Sequence, residues 1–474
     1  MQLSLPFSAV LASVLFMMFV QVADSAPVKR APKFVTLPLK RVEQARNVHG
    51  QIYLQQHMNR GIRRLARMTG CEEPSRRDLH SRLERRILSV EGPEGLEKRF
   101  NRFGLPAPSQ SSGAKSLADT KENKAGADDN ITEANQPTAP NSLGLDIEAV
   151  DVGYSATVQV GNPPRDFLVT MDSGSADFWV GSDNCASNGG GCGSHVFLGP
   201  ESSSSFNDTG NEFKITYGSG SVSGNIVTDD VTIAGLALPG LTFGVATTES
   251  VDFSSNNSPN DGLMGLARSS LSEQKTLTPV EALAAANKIP EAIVSYKISR
   301  LEDFKNDGEI TFGALDPTKF DNSALVTVPN VDKDGFWTAD LGAVTVNGAD
   351  TGLTGRTAIL DTGTTLMIVP AADATTIHAG IKGAKSDNQG GFTVPCTLTD
   401  KVALQFGSQT FEIDPRDIAF APINPNDQKG DCVSGIASGN IGGPNQWLVG
   451  DVFLKNVYFS TDATKNTITL AKLA

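Results

Sequence analysis

Val169-Thr170-Met171-Asp172-Ser173-Gly174-Ser175 is answered far downstream by Ala358-Ile359-Leu360-Asp361-Thr362-Gly363-Thr364. Each stretch runs from an apolar, strand-like lead-in into an aspartate, a hydroxyl residue, a glycine and a second hydroxyl. A carboxylate so placed is carried out of a sheet onto a tight turn, where its oxygens face a partner rather than solvent. The bare tripeptide is a weak signal, because Asp-Ser/Thr-Gly occurs four times in the chain. Asp208-Thr209-Gly210 leads into Asn211-Glu212, and Asp350-Thr351-Gly352 follows the turn signal Asn347-Gly348. Neither has both the apolar lead-in and the hydroxyl after the glycine. The copies at 172 and 361 have both, and each is followed by an apolar-apolar-Gly run, Leu263-Met264-Gly265 and Leu448-Val449-Gly450. The separations, roughly 93 and 89 residues, are nearly equal, as two copies of one unit give.

Working outward, charge divides the chain. The 474 residues carry a net charge of -13. Residues 26–99 hold about 17 Lys/Arg against about 8 Asp/Glu, so the remainder from 100 onward sits near -21. Residues 1–25, with the apolar run from Leu11 to Val22 ending at Ala23-Asp24-Ser25, read as a secretory signal peptide, although a positive n-region is missing. A buried helix or membrane anchor is the alternative for this run. In the basic segment, 26–99, Leu65, Leu79, Leu83 and Ile87 recur at helix-like spacing among Arg63-Arg64, Arg76-Arg77 and Arg85-Arg86. Alone, such a segment suits nucleic acid or a membrane surface. Ahead of an acidic body in an exported chain, it suits a prosegment that covers an acidic cleft and leaves when carboxylates protonate. Lys98-Arg99 offers a dibasic processing site. Residues 100–145 turn to Pro, Ser, Ala, Lys, Asp and Asn and read as a disordered linker or extended prosegment.

From residue 146 the chain is β-rich. Ser155 to Val160 alternates, Gly161-Asn162-Pro163-Pro164 is a turn, and Pro279 to Lys288 is the clearest helix. Many short strands in two similar halves predict an all-β fold of two lobes, 146–328 and 329–474, with one aspartate turn in each and both at the interlobe cleft.

With both aspartate turns, Ile215-Thr216-Tyr217-Gly218-Ser219-Gly220-Ser221, Asp261-Gly262-Leu263-Met264-Gly265-Leu266 and Trp447-Leu448-Val449-Gly450-Asp451-Val452-Phe453, the chain over 146–474 resembles the pepsin-like aspartic proteases, with its nearest likeness among the secreted, polyporopepsin-like fungal type. The resemblance implies a bilobal acid-protease fold with pseudo-twofold related lobes, and a zymogen whose own prosegment is an intramolecular inhibitor. Asp172 and Asp361 are then the catalytic pair, and Ser175 and Thr364 brace them across the pseudo-twofold axis. Tyr217, Gly218 and Ser219 form a flap over the cleft, with Trp179 meeting Tyr217, while Leu263, Ile359 and Gly363 line the substrate site. Thr170, Asn260 and Thr365 depart from the family pattern in the pocket walls, which weakens the expectation of a preference for bulky aromatic side chains. Two carboxylates about 3 Å apart cannot both ionise cheaply, so they share a proton, and one serves as base to a water while the other serves as acid.

The five cysteines divide into Cys185-Cys192, Cys396-Cys432 and a leftover Cys71 in the removable segment, which reads as two disulfides. A metal site from Cys185, Cys192 and His195 is the alternative; it lacks close Cys-x-x-Cys spacing and a fourth ligand, so no metal or other cofactor is expected. Asn130, Asn207 and Asn256 stand in the form of glycan acceptors. In the body only His195 and His378 are histidines, and neither accompanies a Gly-x-Ser-x-Gly elbow or a His-Glu-x-x-His helix, which argues against serine and zinc hydrolases. The expectation is a secreted, or alternatively vacuolar, monomeric endopeptidase acting on extended polypeptides, without nucleic-acid or membrane partners. A protease-like peptide-binding protein that has lost its chemistry is the rival reading, and a partner protein whose active agent is the basic region is another.

Overall fold

The computed structural model describes residues 35–42, 49–99, 131–132, 142–148 and 153–474, apart from 188, 189, 257, 304, 440–442 and 444. The expected signal over 1–25, the acceptor form at Asn130 and most of the linker lie outside the described residues. Along Arg165–Asp172, alternation puts Phe167, Val169 and Met171 into the core, and the strand ends on the buried Asp172. Arg356–Leu360 likewise delivers Asp361 after the buried Ala358, Ile359 and Leu360.

Each aspartate strand is the second of five neighbours in a repeated order. In the first set, Gly153–Val160 lies antiparallel to Arg165–Asp172, which is parallel to Gly262–Gly265. Gly262–Gly265 is antiparallel to Phe178–Ser187, and that strand is parallel to Leu236–Glu249. In the second set, Thr338–Leu341, Arg356–Leu360, Gln446–Val449, Met367–Val369 and Ile436–Ser438 follow the same sequence of antiparallel, parallel, antiparallel and parallel pairings. The apolar-apolar-Gly runs are therefore the strands laid against the aspartate strands, with Gly265 opposite Asp172 and Val449 opposite Leu360. Glycine is required at their ends: a Cβ on Gly265 would sit 2.5 Å from the Asp177 nitrogen, and one on Gly450 would sit 1.9 Å from the Thr364 carbonyl oxygen.

The fold is all-β and bilobal, with a division less clean than a cut at 328/329. Phe320–Pro329 pairs with Thr467–Leu473, and Ile293–Lys297 with Val457–Asp462, so one sheet takes strands from both sides of that point. Val35–Val42 of the basic segment enters this sheet between Glu309–Phe312 and Ser142–Glu148. The end of the expected linker is thus strand from Ser142, as the alternation Leu143-Gly144-Leu145-Asp146-Ile147 permits. The helix expected over Pro279 to Lys288 is observed as Pro279–Ala285, started by a Thr278–Glu281 capping box.

The helix-like spacing of the basic segment belongs to two helices. Gly50–Met68 and Arg76–Arg99 are separated by a turn at Thr69-Gly70, where Gly70 takes φ 63°. Leu54, Met58, Ile62 and Leu65 recur every three or four residues on the first helix and merge with the body's core cluster. Arg76–Arg99 breaks at Gly92, with φ 70°, just before Pro93. Among the described residues no helix is long and apolar enough to cross a membrane.

Candidate active site

The Asp-x-Gly tripeptide fixes a local turn wherever it occurs. The glycine nitrogen donates to its aspartate Oδ1 at 2.9 Å in Asp172-Ser173-Gly174, 2.9 Å in Asp361-Thr362-Gly363, 2.8 Å in Asp208-Thr209-Gly210 and 2.9 Å in Asp350-Thr351-Gly352. The latter two turns are exposed, whereas Asp172 and Asp361 are completely buried. The lead-in strand, rather than the tripeptide, decides which carboxylates reach the interior.

The two buried turns face each other. A Cβ on Gly174 would lie 2.4 Å from Asp361 Oδ1, and one on Gly363 would lie 2.3 Å from Asp172 Oδ1. Ser175 Oγ donates to Asp172 Oδ2 at 2.6 Å, and Thr364 Oγ1 to Asp361 Oδ2 at 2.5 Å. These hydroxyls each hold their own aspartate, which corrects the expectation that they reach across the axis. The crossing bonds belong to the middle residues. Ser173 N donates to Thr362 Oγ1 and Thr362 N to Ser173 Oγ, both at 2.9 Å. Thr362 Oγ1 then donates to the Met171 carbonyl at 2.8 Å, and Ser173 Oγ to the Leu360 carbonyl at 3.2 Å. Sequence reading passed over Ser173 and Thr362, although a hydroxyl at the same offset in both copies was the signal.

Each carboxylate thus accepts on both oxygens from its own turn, and a second lone pair on Oδ1 remains for a further donor. Arg64, from the helix Gly50–Met68, supplies it. Its Nη2 donates to Asp172 Oδ1 at 2.5 Å and to Asp361 Oδ1 at 2.8 Å, and its Nε stands 2.5 Å from Asp361 Oδ2. Burial raises the Asp361 carboxyl above the ordinary carboxylate range; the Arg64 charge opposes this, and the Asp172 charge adds to it. Burial lowers Arg64, but the two carboxylates outweigh it and hold the guanidinium firmly protonated. Nothing in the local sequence separates Arg64 from its neighbour Arg63, so this residue was missed as a member of the site.

The cleft above the aspartates is lined by Thr170, Trp179, Tyr217, Gly218, Ser219, Asn260, Leu263, Gly363 and Thr365, together with Arg60, Gly61 and Arg64 of the helix. Tyr217 to Gly220 turn between the strands Asn207–Thr216 and Ser221–Ile233, closed by the Tyr217 nitrogen donating to the Gly220 carbonyl at 2.6 Å. Trp179 Nε1 donates to the Tyr217 oxygen at 2.9 Å. Burial, with the Asp177 and Asp172 charges, keeps the Tyr217 hydroxyl protonated. Gly218 lets the helix pass close beneath the flap, since a Cβ there would fall 2.6 Å from the Arg60 carbonyl oxygen. Ile359 does not line the cleft and is corrected here: it is buried in the cluster that also takes in Ile62 and Leu65 of the helix, while Thr170, at the same offset before the first aspartate, does line it.

Both expected disulfides are present, Cys185–Cys192 and Cys396–Cys432, and Cys71 is free and exposed. Cys185 and Cys192 lie beside Glu249, but as disulfide sulfurs they do not hold a metal, and His195 Nε2 instead faces the Ser258 carbonyl oxygen at 2.7 Å.

Two buried carboxylates thus face each other beneath the glycine-bearing turn from Tyr217 to Gly220. The family model described as eukaryotic aspartyl protease matches residues 153–473, and the chain belongs to that family. Among its relatives, the "Probable aspartic-type endopeptidase CTSD" of Trichophyton verrucosum is 37% identical over 71% of this chain, which spans 64% of that relative's length. The "Aspartic-type endopeptidase ctsD" of Aspergillus fumigatus is 33% identical over 79% of this chain and 77% of its own length. Rhizopuspepsin of Rhizopus chinensis is 33% identical over 65% of this chain and 75% of its own.

Proposed function

We propose that the chain is an acid endopeptidase made as a zymogen, in which Asp172 and Asp361 activate a water against the carbonyl of an extended polypeptide. Burial raises the Asp361 carboxyl and the two aspartates share a proton, so one member of the pair is the acid and the other the base. The base draws a proton from the water as it attacks, the acid donates to the developing oxyanion, and a proton passed to the leaving nitrogen completes hydrolysis without a covalent intermediate. The flap from Tyr217 to Ser219 closes over substrate, its glycine allowing backbone-to-backbone approach. No cofactor enters this chemistry.

The single observation that carries the zymogen reading is the Arg64 guanidinium seated on both carboxylates. It stands where the attacking water must be, and it neutralises the charge that the base needs. At neutral pH the contact holds. As pH falls and the carboxylates protonate, the ion pair is lost and the basic segment of residues 26–99 can leave an acidic body. Cleavage at or beyond Lys98-Arg99 makes the change permanent. The apolar run in 1–25 supports export, to the medium or to an acidic vacuole, as a monomer with two disulfides and with glycan at Asn207, whose side chain is exposed.

The test is to purify the full chain at pH 7 and shift it to pH 4, following both chain length and hydrolysis of a quenched peptide. Inert at pH 7 and both shortened and active after the shift is the expected result, with Arg64→Gln active before any shortening. A chain that remains inert at every pH after the basic segment has gone belongs instead to a peptide-binding protein on the same fold.

A further inference from the structure

Among the charged residues that the body contributes to the cleft wall, one lies outside the dyad. Of the described lining residues that the body contributes, only Asp172 and Asp252 are ionisable at acid to neutral pH. Asp252 sits in the short helical turn Val251–Ser254, and the closest basic group is again in the helix filling the cleft: Arg60 Nη2 stands 3.8 Å from Asp252 Oδ1. The helix therefore brings two arginines, one turn apart, to the two carboxylate positions that the cleft presents.

We propose that Asp252 is a specificity-determining residue that selects a lysine or arginine side chain in the substrate, at the place that Arg60 now occupies. This rests on the endopeptidase reading above. Three observations put Asp252 where a substrate side chain must pass. The Arg60 backbone runs directly beneath flap residue Gly218, the route of any extended chain between flap and dyad. The turn bearing Asp252 is tied to the base of the flap: Ser250 N donates to the Ser221 carbonyl at 2.8 Å, and Ser221 N donates to Ser250 Oγ at 3.0 Å. Phe253 lies edge-on to Trp179 at 5.3 Å and to Tyr217 at 5.5 Å, so the turn is continuous with the flap's own aromatic cluster.

The surroundings fit the whole of a long basic side chain. Val251 is 61% exposed at the cleft and Phe253 lines it, giving the aliphatic stem an apolar surface while the charged head reaches Asp252. Polar wall residues such as Thr170, Ser255, Ser258 and Asn260 are neutral, and the Asn260 Oδ1 is already taken by Ser155 Oγ at 2.7 Å. The Asp252 side chain is 45% exposed in the presence of the helix, so the pair is a modest one, worth about 1 kcal/mol or less while solvent reaches it. The charged groups facing Asp252 are Arg60 and Arg63, both of which depart with the basic segment.

Quenched peptides that place lysine or norleucine at each position within three residues of the scissile bond test this, using the acid-processed chain between pH 3 and pH 6. At one position lysine is expected to exceed norleucine in kcat/KM by about fivefold near pH 6, with the ratio falling toward one at pH 3 as Asp252 becomes neutral. In Asp252→Asn the ratio is flat with pH, and in Asp252→Lys a glutamate at that position overtakes lysine. The ratio within each variant is the readout, so a general change in rate does not enter. A lysine preference that survives in Asp252→Asn, or no preference at any position in the parent, overturns the proposal while leaving peptide hydrolysis standing. No cleavage of any peptide by the processed parent removes the endopeptidase reading, and the proposal with it.

Discussion

Thr362 shows how much of the site hangs on single hydroxyls. Its Oγ1 accepts from the buried Ser173 nitrogen and donates to Met171 across the lobe boundary, so Thr362→Ala leaves a buried N–H and a carbonyl unpaired. Each such group costs on the order of 1–3 kcal/mol. Urea unfolding of Thr362→Ala is expected to show a loss of about 2 kcal/mol or more, with Thr362→Ser close to the parent; equal stability of all three contradicts the crossing role. His378 sets a different limit. Its Nδ1 faces the Ala374 carbonyl, its Nε2 faces Ser434 Oγ, and its ring stacks on Phe392 at 3.9 Å. Burial lowers the imidazole from 6.5 to about 4. Because the unfolded chain takes up the proton first, the stability from neutral His378 is whole above pH 6.5 and drains away as pH falls through 4, by about 3 kcal/mol in all. Measured at pH 7 and pH 4, His378→Gln should lack that part of the slope, and an unchanged slope contradicts it. At this scale the two aspartates were legible because their turns repeat. Arg64 was not, since its partners lie 108 and 297 residues away and no local pattern reports such a contact.

At the scale of elements, two buried ion pairs help hold the basic segment to the body. Arg64 makes one. Some ten residues nearer the start of the same helix, Leu54 and Met58 approach Gly391 and Gly390, and there Arg86 of the second helix, almost fully buried, pairs with Asp387 Oδ2 at 2.8 Å and donates to Gln55 Oε1 at 3.2 Å. Removing one partner of a buried pair leaves an unpaired charge, a penalty of about 3–5 kcal/mol. Asp387→Asn is therefore expected to activate at a higher pH than the parent and to lose its basic segment to a neutral protease at least tenfold faster. Activation at the parent's pH would show that this contact holds nothing closed. Gly61 belongs to the same interface, since a Cβ there would meet Ile368 at 2.6 Å. The element-level reading from sequence succeeded where the pattern was strict, as over Ser155 to Val160 and in the apolar lead-in from Val169 to Met171, which fall in the strands Gly153–Val160 and Arg165–Asp172. It noted helix-like spacing in the basic segment without placing the turn between its two helices, because Leu65 and Leu79 happen to continue one spacing across Gly70. It also stopped short of Ser142, because the polar composition ahead of that strand masked its alternation.

Over the whole molecule, a basic segment of about +9 and a body near -21 are joined in one chain. The structure gives that asymmetry a physical form: two helices and a strand from the basic part lie on and within the body, with the arginine of one helix at the centre of the carboxylate pair. The duplication was readable from the near-equal separations, and it appears as ten strands in two sets of identical order. A cut between the lobes was not readable, because the strands after residue 290 return to a sheet shared by both sides of it. The measurement that tests the central claim most directly is hydrolysis of denatured globin from pH 2 to pH 8 by the acid-processed parent, Asp172→Asn and Asp361→Asn, each shown to be folded. Activity confined to acid pH in the parent and reduced by at least about a thousandfold in either variant is the predicted result. Cleavage that persists in one of the two would contradict a shared dyad and require a different source of the nucleophile.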